Sequence, residues 1–267
     1  MIDGELDRLA LHFLKLADIA RAIEQGKGGR IAHLDADDLL IEPLRARRGD
    51  HDRRDSGLES LDLAALLCSK VCHDVISPVG AIVNGLEVLD DDKDPETQEF
   101  ALGLIRRSAQ QASARLQFAR LAFGAAGSAG ASIDLGDAES VSRAFIQDEK
   151  IQIVWNAPRL LLAKNKVKLL LNLLVIAQAA IVRGGTITVD LKDDGARTDI
   201  AIVAKGTSAR MPPHVGDLIA ARSATGTVDA HGIQAFYTGQ VARACAMAVT
   251  LDLGPDGLVI RAAPQGA

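Results

Sequence analysis

The chain has 267 residues, 48% of them apolar and 24% charged, a composition that suits a globular protein with one or two ordinary cores. A formal charge of −5 excludes a broad nucleic-acid footprint, which needs clustered Lys and Arg to displace counterions. Aromatic residues make up only 3%, which disfavours base-stacking platforms and ring-lined ligand pockets and leaves the core to alanine and leucine.

Residues 3–25 carry Leu6, Leu9, Phe13, Leu14, Leu16 and Ile19 at near-helical spacing and end in GKGG, which predicts one amphipathic helix. The chain then turns charged and aperiodic. Its one dense basic stretch, Arg45 to Arg54, is interspersed with Asp50 and Asp52 and reads as a solvated linker. Residues 1–57 are thus expected to be an extension rather than a domain. Its acidic start does not suit a signal peptide, and no apolar run is expected to approach the roughly 20 residues of a membrane helix. The expected address is cytoplasmic, with no membrane partner.

From Leu61 the pattern sharpens. Leu61, Ala65, Cys68, Cys72, Val75, Val79, Ile82, Leu86 and Leu89 recur in steps of four and three, the signature of a bundle helix. The acidic turn DDDKDP interrupts it, and Leu102, Ile105, Ala109, Ala112, Leu116, Ala119 and Phe123 repeat the rhythm in a second helix. A hairpin of two helices has too little surface to cover both stripes, so a homodimeric four-helix bundle is expected over residues 58–127.

After the small-residue joint Gly124 to Ser132 the texture becomes mixed, and residues 128–267 form a second expected domain. The pattern predicts helices near Asp137–Asp148, Lys166–Ile181 and Ile233–Met247. Strands are expected at Ile151–Trp155, Thr186–Leu191, Asp199–Ala204, Val249–Leu253 and Leu258–Ala262. The fold class expected overall is α+β, a helical hairpin followed by an α/β sandwich with helices on one face of a sheet.

Chemistry concentrates in KVCHDVISPVGAI, Lys70 to Ile82. With Val75 facing the core, His73 lies about 200° around the helix and faces outward, where packing gives it no role. A phosphorylated imidazole nitrogen is a reactive phosphoramidate suited to passing its phosphoryl group to a carboxylate. Asp74 beside it could orient the ring or take its proton, and Pro78 removes one backbone donor from the helix. Ile76, Ser77, Gly80, Ala81, Asn84 and Gly85 offer a flat track for another protein, joined by Leu102 and Arg106 from the start of the second helix. A histidine that is only a solvated helical residue remains the alternative.

The segment His73-Asp74-Val75-Ile76-Ser77-Pro78 resembles the phosphoacceptor box of sensor histidine kinases. The longer stretches LCSKVCHDVISPVGAIVNGLEVLDD and LQFARLAFGAAGSAGASID are similar to histidine phosphotransferases of the alphaproteobacterial ChpT type, over about Leu61 to Ala262. The resemblance implies a dimeric phosphotransfer bundle with His73 as acceptor, joined to a degenerate copy of the kinase ATP-binding (Bergerat/GHKL) domain. It implies partners with receiver domains, namely a hybrid histidine kinase and response regulators of the CtrA-like and CpdR-like kinds. Magnesium is expected on the partner receiver, with no cofactor, metal or ATP bound by this chain. The helix KVKLLLNLLVIAQAAI keeps Asn172 of the nucleotide-binding motif, but Ile176 stands where a magnesium-binding asparagine is expected, and Ala204 replaces the adenine-binding aspartate. No G-x-G-x-G lid follows.

Lys164, Lys166 and Lys168 read as an exposed first turn rather than a phosphate cradle. His12, His33, His51, His214 and His231 lack ligand spacing, and Cys68, Cys72 and Cys245 read as reduced, apolar filler. Two other functions stay open: a complete autophosphorylating kinase, and a scaffold that docks receivers without using His73.

Overall fold

A computed structural model describes residues 60–124, 131–195, 197–221, 228 and 232–266. The helix expected at residues 3–25, the basic linker, most of the small-residue joint, Gly226, His12, His33, His51 and His231 lie outside the described residues. The chain divides into two compact units. One contains residues 76–110, and the other contains residues 60–75 together with residues 111–266.

Helix α1 runs Ser60–Asp91 and helix α2 runs Pro95–Ala122, so each passes through both units. The turn between them is closed by its own side chains. Lys93 Nζ donates to the carbonyls of Leu89 and Asp90 at 3.2 and 2.8 Å, supplying donors at the end of α1. The Asp94 carboxylate accepts from the Thr97 backbone N–H at 3.0 Å and from its hydroxyl at 3.1 Å. Asp94 is thus the N-cap, and Pro95 at the first helical position has a fixed φ that suits the helix start.

Several of the buried positions on the two helices are small residues. Pro78 and Gly85 of α1 are buried, as are Ala101, Ser108 and Ala112 of α2. A Cβ added at Gly85 would lie 2.7 Å from Ile105 Cγ1, so the absence of a side chain there sets how closely the helices approach. Larger apolar side chains are left uncovered, among them Leu61, Leu86, Phe100 and Leu116. Against expectation, α1 is long and apolar enough over Leu61–Asp91 to cross a membrane by length and composition, with a mean hydropathy of 1.4. Lys70, His73 and Asp74 interrupt it near its middle, and its apolar positions keep the spacing of a bundle stripe.

The remaining elements belong to the larger unit. They are β1 (Ser132–Asp134), α3 (Leu135–Ile146), β2 (Ile151–Asn156), β3 (Leu161–Ala163), α4 (Lys164–Ala180), β4 (Gly185–Asp193), β5 (Thr198–Lys205), α5 (Val215–Ile219), α6 (Ile233–Ala244), β6 (Met247–Gly254) and β7 (Gly257–Pro264). β1 and β3 form a short antiparallel pair, and the main sheet has the order β2-β4-β5-β7-β6, parallel only between β2 and β4. Period-two alternation puts Ile187, Val189 and Leu191 of β4 on one face with Ile200, Ile202 and Ala204 of β5 and Leu258, Ile260 and Ala262 of β7. Registration reinforces that face, since Val189 sits opposite Ile202 and Ile202 opposite Ile260. Helices α3, α4 and α6 pack against strands of this sheet, which is the α+β fold expected from the sequence. Gly257 closes the last hairpin at φ +128°, where an added Cβ would collide with the Ala204 carbonyl.

Helix α4 has buried residues on every side, including Val167, Leu170, Leu173, Ile176 and Ala180, as expected for a helix enclosed by protein. The end of α2 joins the same core through Phe118, Leu121 and Ala122, and Phe118 stacks on Phe145 with ring centroids 4.1 Å apart. Two elements are shorter than the sequence pattern could mark, β1 and β3 at three residues each, and helix α6 stops at Ala244 because Met247 opens β6 instead.

The two glycines on α1 should respond oppositely to a methyl group. Gly80 has open space around its Cβ position, so Gly80→Ala should stabilise the full chain by about 0.5–1 kcal/mol through helix propensity. Gly85→Ala should destabilise it by about 1 kcal/mol, because crowding against Ile105 outweighs that gain. Urea unfolding of both variants checks the sign of each change.

Candidate functional site

His73 lies in the middle of α1 with its side chain 72% exposed. Its Nδ1 is 3.6 Å from Asp74 Oδ1, within ion-pair range but too long for a hydrogen bond. The other carboxylate oxygen of Asp74 accepts from Lys70 Nζ at 3.0 Å across one helical turn. The Asp74 backbone carbonyl accepts from Arg115 Nη1 of α2. Asp74 is therefore held by its side chain and by its backbone, on the Nδ1 side of the exposed imidazole. A small cavity lined by Lys70, Val71, Asp74, Arg115, Phe118 and Gln234 lies beside this arrangement.

The residues expected on a receiver track fall within the other unit. Ile76, Ser77, Asn84, Leu102 and Arg106 are exposed there, and Gly80 and Ala81 are half-buried. Gly85 is different: it is buried against Ile105 and Ala101, so its small size serves the hairpin and it is not available to a partner. Beside Arg106, the start of α2 also presents Glu96, Glu99, Phe100 and Arg107 around an open depression. Phe100 is 68% exposed, and the sequence pattern gave no signal for it because it lies off the apolar stripe.

In the larger unit, the positions compared with a nucleotide site take part in packing. Asn172 is fully buried, and its amide donates to the Ala122 carbonyl at 3.1 Å and to the Lys168 carbonyl at 2.8 Å. Its side-chain oxygen accepts from Gln234 Nε2. Ile176 and Ala204 both lie in the apolar core. The lysine cluster is not the exposed turn expected from charge alone: Lys168 is buried, with Nζ 3.5 Å from the Phe123 carbonyl, and Lys166 donates to the Thr198 hydroxyl at 2.6 Å. Burial, and secondarily Lys164, lowers the pKa of Lys168.

The other candidates have settled positions. His214 is exposed at the start of α5 with φ 55°. All three cysteines are free, with Cys68 exposed and Cys72 and Cys245 half-buried. Burial pushes the Cys245 thiol up to about 11 against an opposing pull from Lys166, and burial with help from Cys68 raises Cys72. Among the described residues no group of three or more His, Cys, Asp or Glu is placed to hold a metal ion.

Comparison with known proteins bears on this geometry. A family model described as the histidine phosphotransferase C-terminal domain matches residues 135–257. Protein phosphotransferase ChpT of Brucella abortus (strain 2308) is 46% identical over 205 residues, covering 77% of this chain and 97% of that protein. The chain belongs to the ChpT family of histidine phosphotransferases. A solved structure described as a bacterial phosphotransferase at 1.7 Å superimposes with a TM-score of 0.71 at 44% identity, covering 77% of this chain and 98% of that one. Membership in the ChpT family makes this chain a phosphotransferase of two-component signalling. The α/β unit matched by the family model is the one in which Asn172, Ile176 and Ala204 are buried.

Asn172 should matter to this ChpT-family chain as a structural residue. Asn172→Asp removes the amide that two carbonyls accept from and turns a carboxylate toward them, so the loss should exceed that of Asn172→Ala, itself about 1–3 kcal/mol. Urea unfolding of the full chain measures both.

Proposed function

We propose that the protein carries a phosphoryl group on His73 Nε2 and passes it between receiver-domain aspartates, from a hybrid histidine kinase to response regulators of the CtrA-like and CpdR-like kinds. The observation that carries this reading is the exposed imidazole of His73 with the Asp74 carboxylate held at its Nδ1 side by Lys70. In the forward step the Nε2 lone pair attacks phosphorus, the bond from phosphorus to the aspartyl oxygen breaks, and the aspartate leaves as a carboxylate. The Nδ1–H stays on the ring, where Asp74 balances the positive charge. In the reverse step a receiver carboxylate attacks and Nε2 leaves with its electron pair. Magnesium on the receiver would screen the transferring oxygens, so this chain needs to supply position more than charge.

The track of Ile76, Ser77, Gly80, Ala81 and Asn84 with Leu102 and Arg106 is the surface we assign to the receiver, with Phe100 added beside it. Gly80 supports this assignment because nothing within the chain approaches its Cβ position. We further propose a homodimer built on the hairpin, which the uncovered Leu61, Cys68 and Leu86 on the α1 stripe support. On this reading α1 is a bundle helix of a cytoplasmic protein rather than a membrane span. The α/β domain does not use ATP: a buried Asn172 engaged by Gln234 is not free to bind magnesium, and Ala204 offers adenine no acid. That domain instead widens the surface available for selecting partners.

Four measurements test these claims. His73→Ala should abolish transfer from a phosphorylated receiver, whereas a scaffold would sustain relay flux without it. Gly80→Arg should reduce transfer at least a hundredfold in both directions while leaving the mass in solution unchanged; unimpaired transfer would move the receiver elsewhere. The full chain should sediment as a dimer that Leu86→Glu dissociates, with Cys68 alkylation slow in the dimer and fast in the variant. Incorporation of label from ATP by the protein alone would favour the autokinase reading.

A further inference from the structure

Helix α1 contains Pro78, and a proline has no N–H to offer the carbonyl four residues earlier. That carbonyl belongs to Asp74, the residue beside His73. An orphaned carbonyl on a half-buried helix face needs another donor, and Arg115 Nη1 from α2 donates to it. The same Asp74 is tied by its carboxylate to Lys70, one turn earlier on α1. The guanidinium therefore occupies the place of the missing backbone bond at the turn that presents the imidazole.

We propose that Arg115 is a positioning residue for His73: it replaces the helical hydrogen bond that Pro78 removes and fixes the backbone at Asp74, so that the ring and its neighbouring carboxylate are presented together. This rests on the proposed phosphoryl transfer at His73. Arginine suits the role because its donors are always charged and rigidly arranged, and a bond from a charged donor is stronger than the amide bond it replaces. Without it the Asp74 carbonyl must turn toward water, which tilts the helical turn and with it the direction of the His73 side chain.

A double-mutant cycle in the full chain tests the idea, using the wild type, Arg115→Ala, Pro78→Ala and the double variant. Pro78→Ala restores the N–H that Asp74 lacks, so it should make Arg115 dispensable. Arg115→Ala alone should lower the urea unfolding midpoint and slow transfer from an acetyl-phosphate-loaded receiver domain of a hybrid histidine kinase about tenfold at saturating receiver, with receiver affinity unchanged. The double variant should recover to within about twofold of Pro78→Ala in rate and should match its midpoint. Equal effects of Arg115→Ala in the two backgrounds, or a loss confined to receiver affinity, would overturn the proposal. If Arg115→Ala fails to fold, folding of the double variant supports the compensation and failure of both refutes it. If wild-type protein takes up no phosphoryl group at His73, the transfer reading and the positioning role fall together, whereas the unfolding cycle still reports whether Arg115 replaces the missing bond.

Discussion

The larger unit depends on how a largely buried helix disposes of its polar groups. Most of helix α4 is buried, so the amine and amide of its buried Lys168 and Asn172 must find partners or leave costly desolvated atoms. Asn172 meets that requirement by donating to the Ala122 carbonyl, one of the last four in α2 and without an intrahelical donor. Lys168 brings a cation toward the next carbonyl, Phe123, at the negative end of the same helix. The polar groups of α4 thus become the C-terminal cap of α2. Phe118 and Leu121, one turn earlier, are buried against the core that α4 and the sheet build.

This arrangement changes what a motif means. An asparagine on the corresponding helix of a nucleotide-binding domain would have to present its oxygen to solvent and a cation, whereas here Gln234 takes that oxygen and the surroundings are closed. Ile176, one turn further along, lies in the core. The asparagine is the residue type expected of a nucleotide site, but here both its amide and its oxygen are engaged by packing contacts within the chain.

Much of this was legible beforehand because it is periodic. The long stripes of α1 and α2, the alternating strands β4, β5 and β7, and the apolar run of α4 all announce themselves by spacing. The phase of His73 also follows from spacing, since two residues before an inward position is nearly opposite on a helix. What spacing misses is which small residues touch. A reading by hydrophobicity picks the large aliphatics as the seam and places Gly85 on a partner track, yet Gly85 is buried against Ile105 and Ala101 of the neighbouring helix. Burial of Lys168 is likewise invisible, because its partner is a backbone carbonyl 45 residues away in the chain.

A proline in the middle of a long helix costs about 3 kcal/mol when nothing compensates for the lost bond. Here the donor comes from the neighbouring helix, so part of the compensation requires the hairpin to be formed. A straight, self-sufficient helix would present its outward histidine whether or not α2 were in place. By giving up one of its own hydrogen bonds, α1 makes the conformation at Asp74 conditional on a tertiary contact. The turn that bears the exposed imidazole is then ordered by the packed hairpin rather than by the helix alone, and an outward side chain, free of packing on its own account, acquires a defined direction through its neighbour's backbone.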